Sequence, residues 1–202
     1  NELPNTYGLV GQVYAEKNQF YEAVREFEKG LALAPDDSEL HYGLGQVYAL
    51  RGDPDAAFAE YEKALELMPE NVTEYQKLSR RIATRRDMVY YRMGLLAGEQ
   101  GDHEKVVEYQ QKAIDENPNF ADAYYNAAVG MGHMEVNREE VITYYEEAVR
   151  LDPTHVLAMV NLGILYAQKG LREEAIEQFQ NALKLEPGNP VAREALRRLR
   201  AL

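Results

Sequence analysis

The chain has 202 residues, 46% of them apolar, no cysteine and a net charge of −12. The missing cysteines exclude a disulfide framework, a thiolate metal site and a cysteine nucleophile. The acidity opposes general nucleic-acid binding, since a phosphate backbone repels it, and no apolar run is long enough to insert directly into a bilayer.

Five prolines, Pro35, Pro69, Pro118, Pro153 and Pro187, close segments that share one internal spacing. Gly11, Gly45, Gly94 and Gly163 lie 24 positions before four of them; Ala23, Ala57, Val106, Val141 and Ala175 lie 12 before; Gly30, Ala64, Ala113, Ala148 and Ala182 lie five before. The proline steps are 34, 49, 35 and 34. A fixed period in this range means stacked supersecondary units.

In chain order, each unit reads as two amphipathic helices. In the first, residues 4–37, Gly11 is paired with Tyr14, a small residue beside a large one that fills the gap. In the second, residues 38–70, Leu40, Leu44, Val47 and Tyr48 recur at helical spacing before Gly52-Asp53-Pro54 breaks the chain. Asp53 is placed to cap the next helix, and Pro54 suits its first position. Ala57, Phe58, Tyr61, Ala64 and Leu65 follow, and Met68-Pro69 stops the run.

Residues 71–86, NVTEYQKLSRRIATRR, are extra to the period. Lys77, Arg80, Arg81, Arg85 and Arg86 make them the most basic stretch of the chain. Two structures fit: one long helix running into the third unit, or a separate helix ending near Ala83 with Thr84 capping the next and Asp87 at capping-box distance. The charge reads as a solvated helix face or as a docking patch for an acidic partner, including a second copy.

The third unit, residues 87–120, repeats the break at Gly101-Asp102. The fourth, residues 121–155, has capping-box spacing at Asn119 with Asp122 and at Asn137 with Glu140. Gly130 and Gly132 interrupt its first helix at about 1 kcal/mol each relative to Ala, so that helix is expected to be short or frayed near Gly132. The fifth spans residues 156–188. Residues 189–202 read as one more helix, with Val191, Ala195, Leu196 and Leu199 as its apolar stripe and Arg193, Arg197, Arg198 and Arg200 as its polar side.

With Tyr7, Val10, Gly11, Tyr14, Ala23, Phe27, Gly30 and Pro35 in the first unit, His41, Leu44, Gly45, Tyr48, Ala57, Tyr61, Ala64 and Pro69 in the second, and Met159, Leu162, Gly163, Tyr166, Ala175, Phe179, Ala182 and Pro187 in the fifth, the chain resembles the tetratricopeptide repeat family. The third unit is looser, with Ala97 and Gln110 where an aromatic is usual. The resemblance implies an all-α, right-handed superhelical solenoid of five helix-turn-helix repeats, a C-terminal capping helix, and an inserted or extended helix between repeats two and three.

Little here carries chemistry. His41, His103, His133 and His155 form no close pair in the sequence, and there is no Gly-rich phosphate loop. No catalytic residue, metal or cofactor is expected. The resemblance implies instead a non-catalytic scaffold that binds a protein or peptide in a concave groove lined by the first helices. The positions matching that groove are Gln12, Tyr42, Gln46, Tyr91, Arg92, Tyr125, Asn126 and Asn161. Tyr gives broad contact area at low entropic cost, and Asn can donate and accept at once. The same residues are also read as packing between repeats. Asn126 and Asn161 occupy equivalent positions in adjacent repeats. Chaperone-tail binding is not expected, because of Gly8, Gln12, Gly43, Met88 and Arg92 only Arg92 agrees with that clamp. Two other readings stand beside the scaffold: a self-associating assembly module that uses the basic insert, and the regulatory or substrate-recruiting part of a larger enzyme. With no secretory signal in view and Asn1 at its start, the segment is expected to be cytoplasmic and to be processed or cut from a longer protein.

Overall fold

The computed structural model describes residues 3–68, 85–134 and 137–201. Among them are eleven helices and no strand. They are α1 (Pro4–Glu16), α2 (Phe20–Leu33), α3 (Ser38–Arg51), α4 (Pro54–Leu67), α5 (Arg86–Glu99), α6 (His103–Glu116), α7 (Ala121–Gly132), α8 (Arg138–Leu151), α9 (Val156–Gln168), α10 (Arg172–Leu185) and α11 (Pro190–Ala201). They divide into two compact units, Asn1–Leu96 and Ala97–Leu202. The division falls inside α5. Residues 71–84, with Lys77, Arg80, Arg81 and the Thr84 cap, lie outside the described residues. Arg85 is not helical, and its carbonyl accepts from Met88 N and Val89 N, so α5 starts at Arg86 and does not run back through Arg85.

The proline ladder has a companion 17 positions earlier. Asn18, Gly52, Gly101 and Gly170 all have positive φ, at 58°, 79°, 76° and 80°. Each ends the first helix of a pair in the left-handed conformation that only Gly, and less readily Asn, adopts cheaply. Asp53 and Asp102 then cap the second helices by accepting from Ala56 N and Lys105 N. Asn137 caps α8 through Glu139 N at 3.0 Å. The capping box expected at Asn119 and Asp122 does not form: Phe120 holds the N-cap position of α7 without a side-chain bond, and Asn119 N donates instead to the Asn117 side chain at 3.2 Å.

In the first unit α1 packs on α2, α2 on α3 and α3 on α4. The ladder residues Ala23, Ala57 and Ala64 are fully buried. The gap-filling aromatic is not Tyr14 or Tyr48, which stay half-buried. It comes from the second helix, eight positions before the proline. A Cβ on Gly11 would lie 2.7 Å from the Phe27 ring, and one on Gly45 2.8 Å from the Tyr61 ring. Gly43 of the next pair closes on Phe27 from the other side, where a Cβ would overlap Phe27 Cε1. Burying each such ring contributes about 1.5–3 kcal/mol, and only bare backbone leaves room for it.

In the second unit α6 packs on α7, and each helix from α7 to α10 packs on the one after it. Phe179 and Tyr145 take the aromatic position, and Gln110, fully buried, stands where an aromatic is usual. The helix α7 has 12 residues and ends at Gly132. Its Gly130 is required by packing, since a Cβ there would lie 2.9 Å from Val106 Cγ1. The closing helix α11 is capped by Asn189, which accepts from Ala192 N at 3.1 Å. Its buried face is centred on Ala192 and Leu196. Val191, expected in the apolar stripe, is 49% exposed.

Candidate partner-binding surfaces

In the first unit, Gln12 on α1 is exposed, and Tyr42 and Gln46 on α3 are half-buried, one helical turn apart. Gln46 Nε2 donates to the Tyr42 hydroxyl at 3.0 Å. The Tyr42 ring tilts against Tyr61, with centroids 5.9 Å apart, so the core aromatic supports the surface one. Beside them His41 ties three elements together. Its Nδ1 lies 2.6 Å from Glu60 Oε2 of α4 and its Nε2 3.0 Å from the Pro35 carbonyl. On α5, Tyr91 is half-buried and Arg92 exposed.

The basic residues at the start of α5 are structural in their contacts. Arg86 donates to the Leu65 carbonyl at the end of α4 at 2.9 Å and to the Tyr90 hydroxyl at 3.0 Å. It thereby satisfies a helix-end carbonyl and complements the negative end of α4. Arg85 pairs with the buried Asp87 at 3.0 Å.

In the second unit the arrangement is denser. Tyr125 on α7 tilts against Tyr145 on α8, with centroids 5.9 Å apart, and against His155 before α9, at 4.5 Å. Asn161 on α9 donates through Nδ2 to the Tyr145 hydroxyl at 3.2 Å. Burial pushes the Tyr145 hydroxyl up to about 12, against the lowering effect of Asn161. Burial raises Tyr125 too, again with Asn161 pulling the other way. Asn126 donates instead to its own helix, to the Asp122 carbonyl at 2.8 Å. The two asparagines are therefore equivalent in position but not in use: Asn161 clamps two helices, and Asn126 bonds its own helix. Tyr145, Asp122 and His155 join this cluster from outside the expected groove positions. Tyr145 was visible in sequence as the aromatic eight before Pro153.

The fold also brings together two histidines that are far apart in sequence. His103 and His133 stack with centroids 4.3 Å apart and planes 12° from parallel. Among the described residues no group of three or more His, Cys, Asp or Glu is placed to hold a metal, and no helix is long and apolar enough to cross a membrane. An apolar cleft of about 640 Å³ lies between α9, α10 and α11, lined among others by Ile164, Ala167, Phe179, Val191 and Leu199.

Models of the tetratricopeptide repeat match residues 11–72, 89–120 and 156–189. The photosystem I assembly protein Ycf3 of Rippkaea orientalis is 30% identical over 118 residues, covering 50% of this chain and 68% of that protein. A probable UDP-N-acetylglucosamine–peptide N-acetylglucosaminyltransferase SPINDLY of Petunia hybrida is 42% identical over 52 residues, 26% of this chain, and the match spans 6% of that relative. Among solved structures, MamA superposes with a TM-score of 0.70 at 27% identity, covering 91% of this chain and 92% of MamA. YrrB, described as a TPR protein with an unusual peptide-binding site, gives 0.68 at 23%, covering 94% and 89%. PilF of Pseudomonas aeruginosa gives 0.78 at 18%, covering 98% and 83%. The helix-pair period, the Gly-aromatic packing and these matches agree, and the chain belongs to the tetratricopeptide repeat family.

Proposed function

We propose that this chain is a non-catalytic protein-interaction scaffold that takes an extended peptide or partner segment on the first helices of its repeats. The observation that carries the reading is the split between positions. The residues that recur 12 and five positions before the prolines are buried in every repeat, whereas Tyr42, Gln46, Arg92, Tyr125 and Asn126 remain within reach of solvent. Tyr and amide side chains of this kind suit backbone and side-chain recognition of a peptide. The described peptide-binding site of YrrB supports the same reading. A second reading, the substrate-recruiting part of a larger enzyme, is supported by the match to SPINDLY. It uses the same surfaces.

The test is selection from a random peptide display library against the whole chain, followed by affinity measurement on the selected peptide. Arg92→Ala and Asn126→Ala, on the first helices of the two units, are compared with Glu62→Ala and Glu108→Ala on second helices. The reading expects at least one of the first pair to weaken binding about tenfold and neither of the second to do so, on the scale of an interface hot spot. Weakening by the second-helix changes alone defeats it.

A further inference from the structure

After Pro35, Pro118, Pro153 and Pro187 the residue two positions on stands at the start of the next helix, and three of these helix starts carry a side-chain cap. Asp37 accepts from Glu39 N and Leu40 N, and Asn189 accepts from Ala192 N. At the third, His155 does this work: its Nδ1 accepts from Ala158 N at 3.2 Å. Histidine is outside the usual capping set, and its ring nitrogen can accept only while it carries no proton.

The polar and aromatic partners of this ring among the described residues belong to the second unit. From α7, Asp122 Oδ1 lies 3.5 Å from Nε2, and the Tyr125 ring lies 4.5 Å away. From the turn, Asp152 is close enough to feel the imidazole charge, although its carboxylate is held low first by the Thr154 hydroxyl and backbone N–H. The His155 side chain is 11% exposed. We propose that His155 is a positioning residue that works only as the neutral imidazole: Nδ1 caps α9, Nε2–H faces Asp122, and the ring backs Tyr125. A proton on Nδ1 removes the acceptor and puts a cation at the positive end of the α9 macrodipole. Asp122 pulls the other way. Its side chain is 54% exposed, so solvent screens that attraction. Acid therefore loosens the first turn of α9 and the seat of Tyr125. In its effect on binding, the proposal rests on the peptide-surface reading.

The experiment is amide hydrogen exchange on the whole chain at pH about 7.5 and about 5.5, corrected for the intrinsic pH dependence of exchange. Protection of the Ala158 amide should fall about fivefold at the lower pH, the usual weight of a cap, while the Ala192 amide, capped by Asn189, serves as the unchanging control. His155→Asn, which installs the cap used at the equivalent place in α11, should hold Ala158 protection constant between the two pH values. His155→Ala should show low protection at both. A pH response that survives in His155→Asn, or none in the wild type, overturns the proposal. If His155→Ala does not fold, the wild type and His155→Asn decide alone. The affinity of a display-selected peptide, measured in parallel, should weaken in acid for the wild type and not for His155→Asn. A change in exchange without a change in affinity supports the cap and counts against the peptide-surface reading.

Discussion

The side-chain amide of Asn161 on α9 donates to the hydroxyl of Tyr145 on α8, and this bond helps to join the second helix of the fourth repeat to the first helix of the fifth. Tyr145 is almost fully buried. Removing Asn161 leaves its hydroxyl without that donor, which costs about 1–3 kcal/mol. Asn161→Ala is therefore expected to lower the urea midpoint of the chain, and Tyr145→Phe to cost less. The double variant should be more stable than the sum of the singles predicts. Strict additivity in the cycle would show that the bond carries no stability.

Tyr145 also sets an alkaline limit. An unfolded tyrosine loses its proton near pH 10, whereas burial holds the folded Tyr145 neutral up to about 12. Between these values the folded state binds more protons than the unfolded one, so stability falls as pH rises. Below about 10 the neutral phenol costs nothing in either state. Urea unfolding measured from pH 9 upward should show a shallower decline in Tyr145→Phe than in the wild type. Equal slopes would contradict the assignment.

The glycines separate into two kinds. Gly43→Ala pushes a methyl into the Phe27 ring and is expected to destabilise by about 1–3 kcal/mol, the usual cost of overpacking. Gly132→Ala meets nothing within 4 Å and should stabilise by up to about 1 kcal/mol through helix propensity. Thermal unfolding of the two variants against the wild type checks the opposite signs.

Arg86 is expected to matter for folding. Its bonds to the Leu65 carbonyl and the Tyr90 hydroxyl need a planar fork, so Arg86→Ala should cost about 1–3 kcal/mol and Arg86→Lys should recover less than half of that. Hydrogen exchange at the end of α4 provides the readout. If Arg86→Ala leaves protection there unchanged, the contact with α4 is incidental.

Much of this fold is legible because a repeat writes the same constraint several times. Proline, left-handed Gly or Asn, and the small residues at fixed offsets recur, so even the loose third repeat keeps Val106 and Ala113 buried. What is not legible is which large residue fills each gap. Tyr14 and Tyr48 sit one turn from the glycines in sequence, but the rings that press on them are Phe27 and Tyr61 from the facing helix. Sequence spacing reports neighbours along one helix and not partners across two. Register alone picks out the expected surface positions. Register could not say that Asn161 is spent on Tyr145 while Asn126 bonds only its own helix, nor that His155 caps α9 through its ring. Those distinctions depend on side-chain direction, which a repeat offset does not carry.

The proposed function has the first helices, not the second, receive a partner. The most direct measurement is amide and side-chain NMR of the whole chain titrated with a display-selected peptide. The account predicts shift changes concentrated at Tyr42 and Gln46 or at Tyr125 and Asn126, with the exposed positions Glu62, Glu108 and Glu177 of the second helices unmoved. Changes confined to the second helices, with those tyrosines and amides silent at saturation, would contradict it.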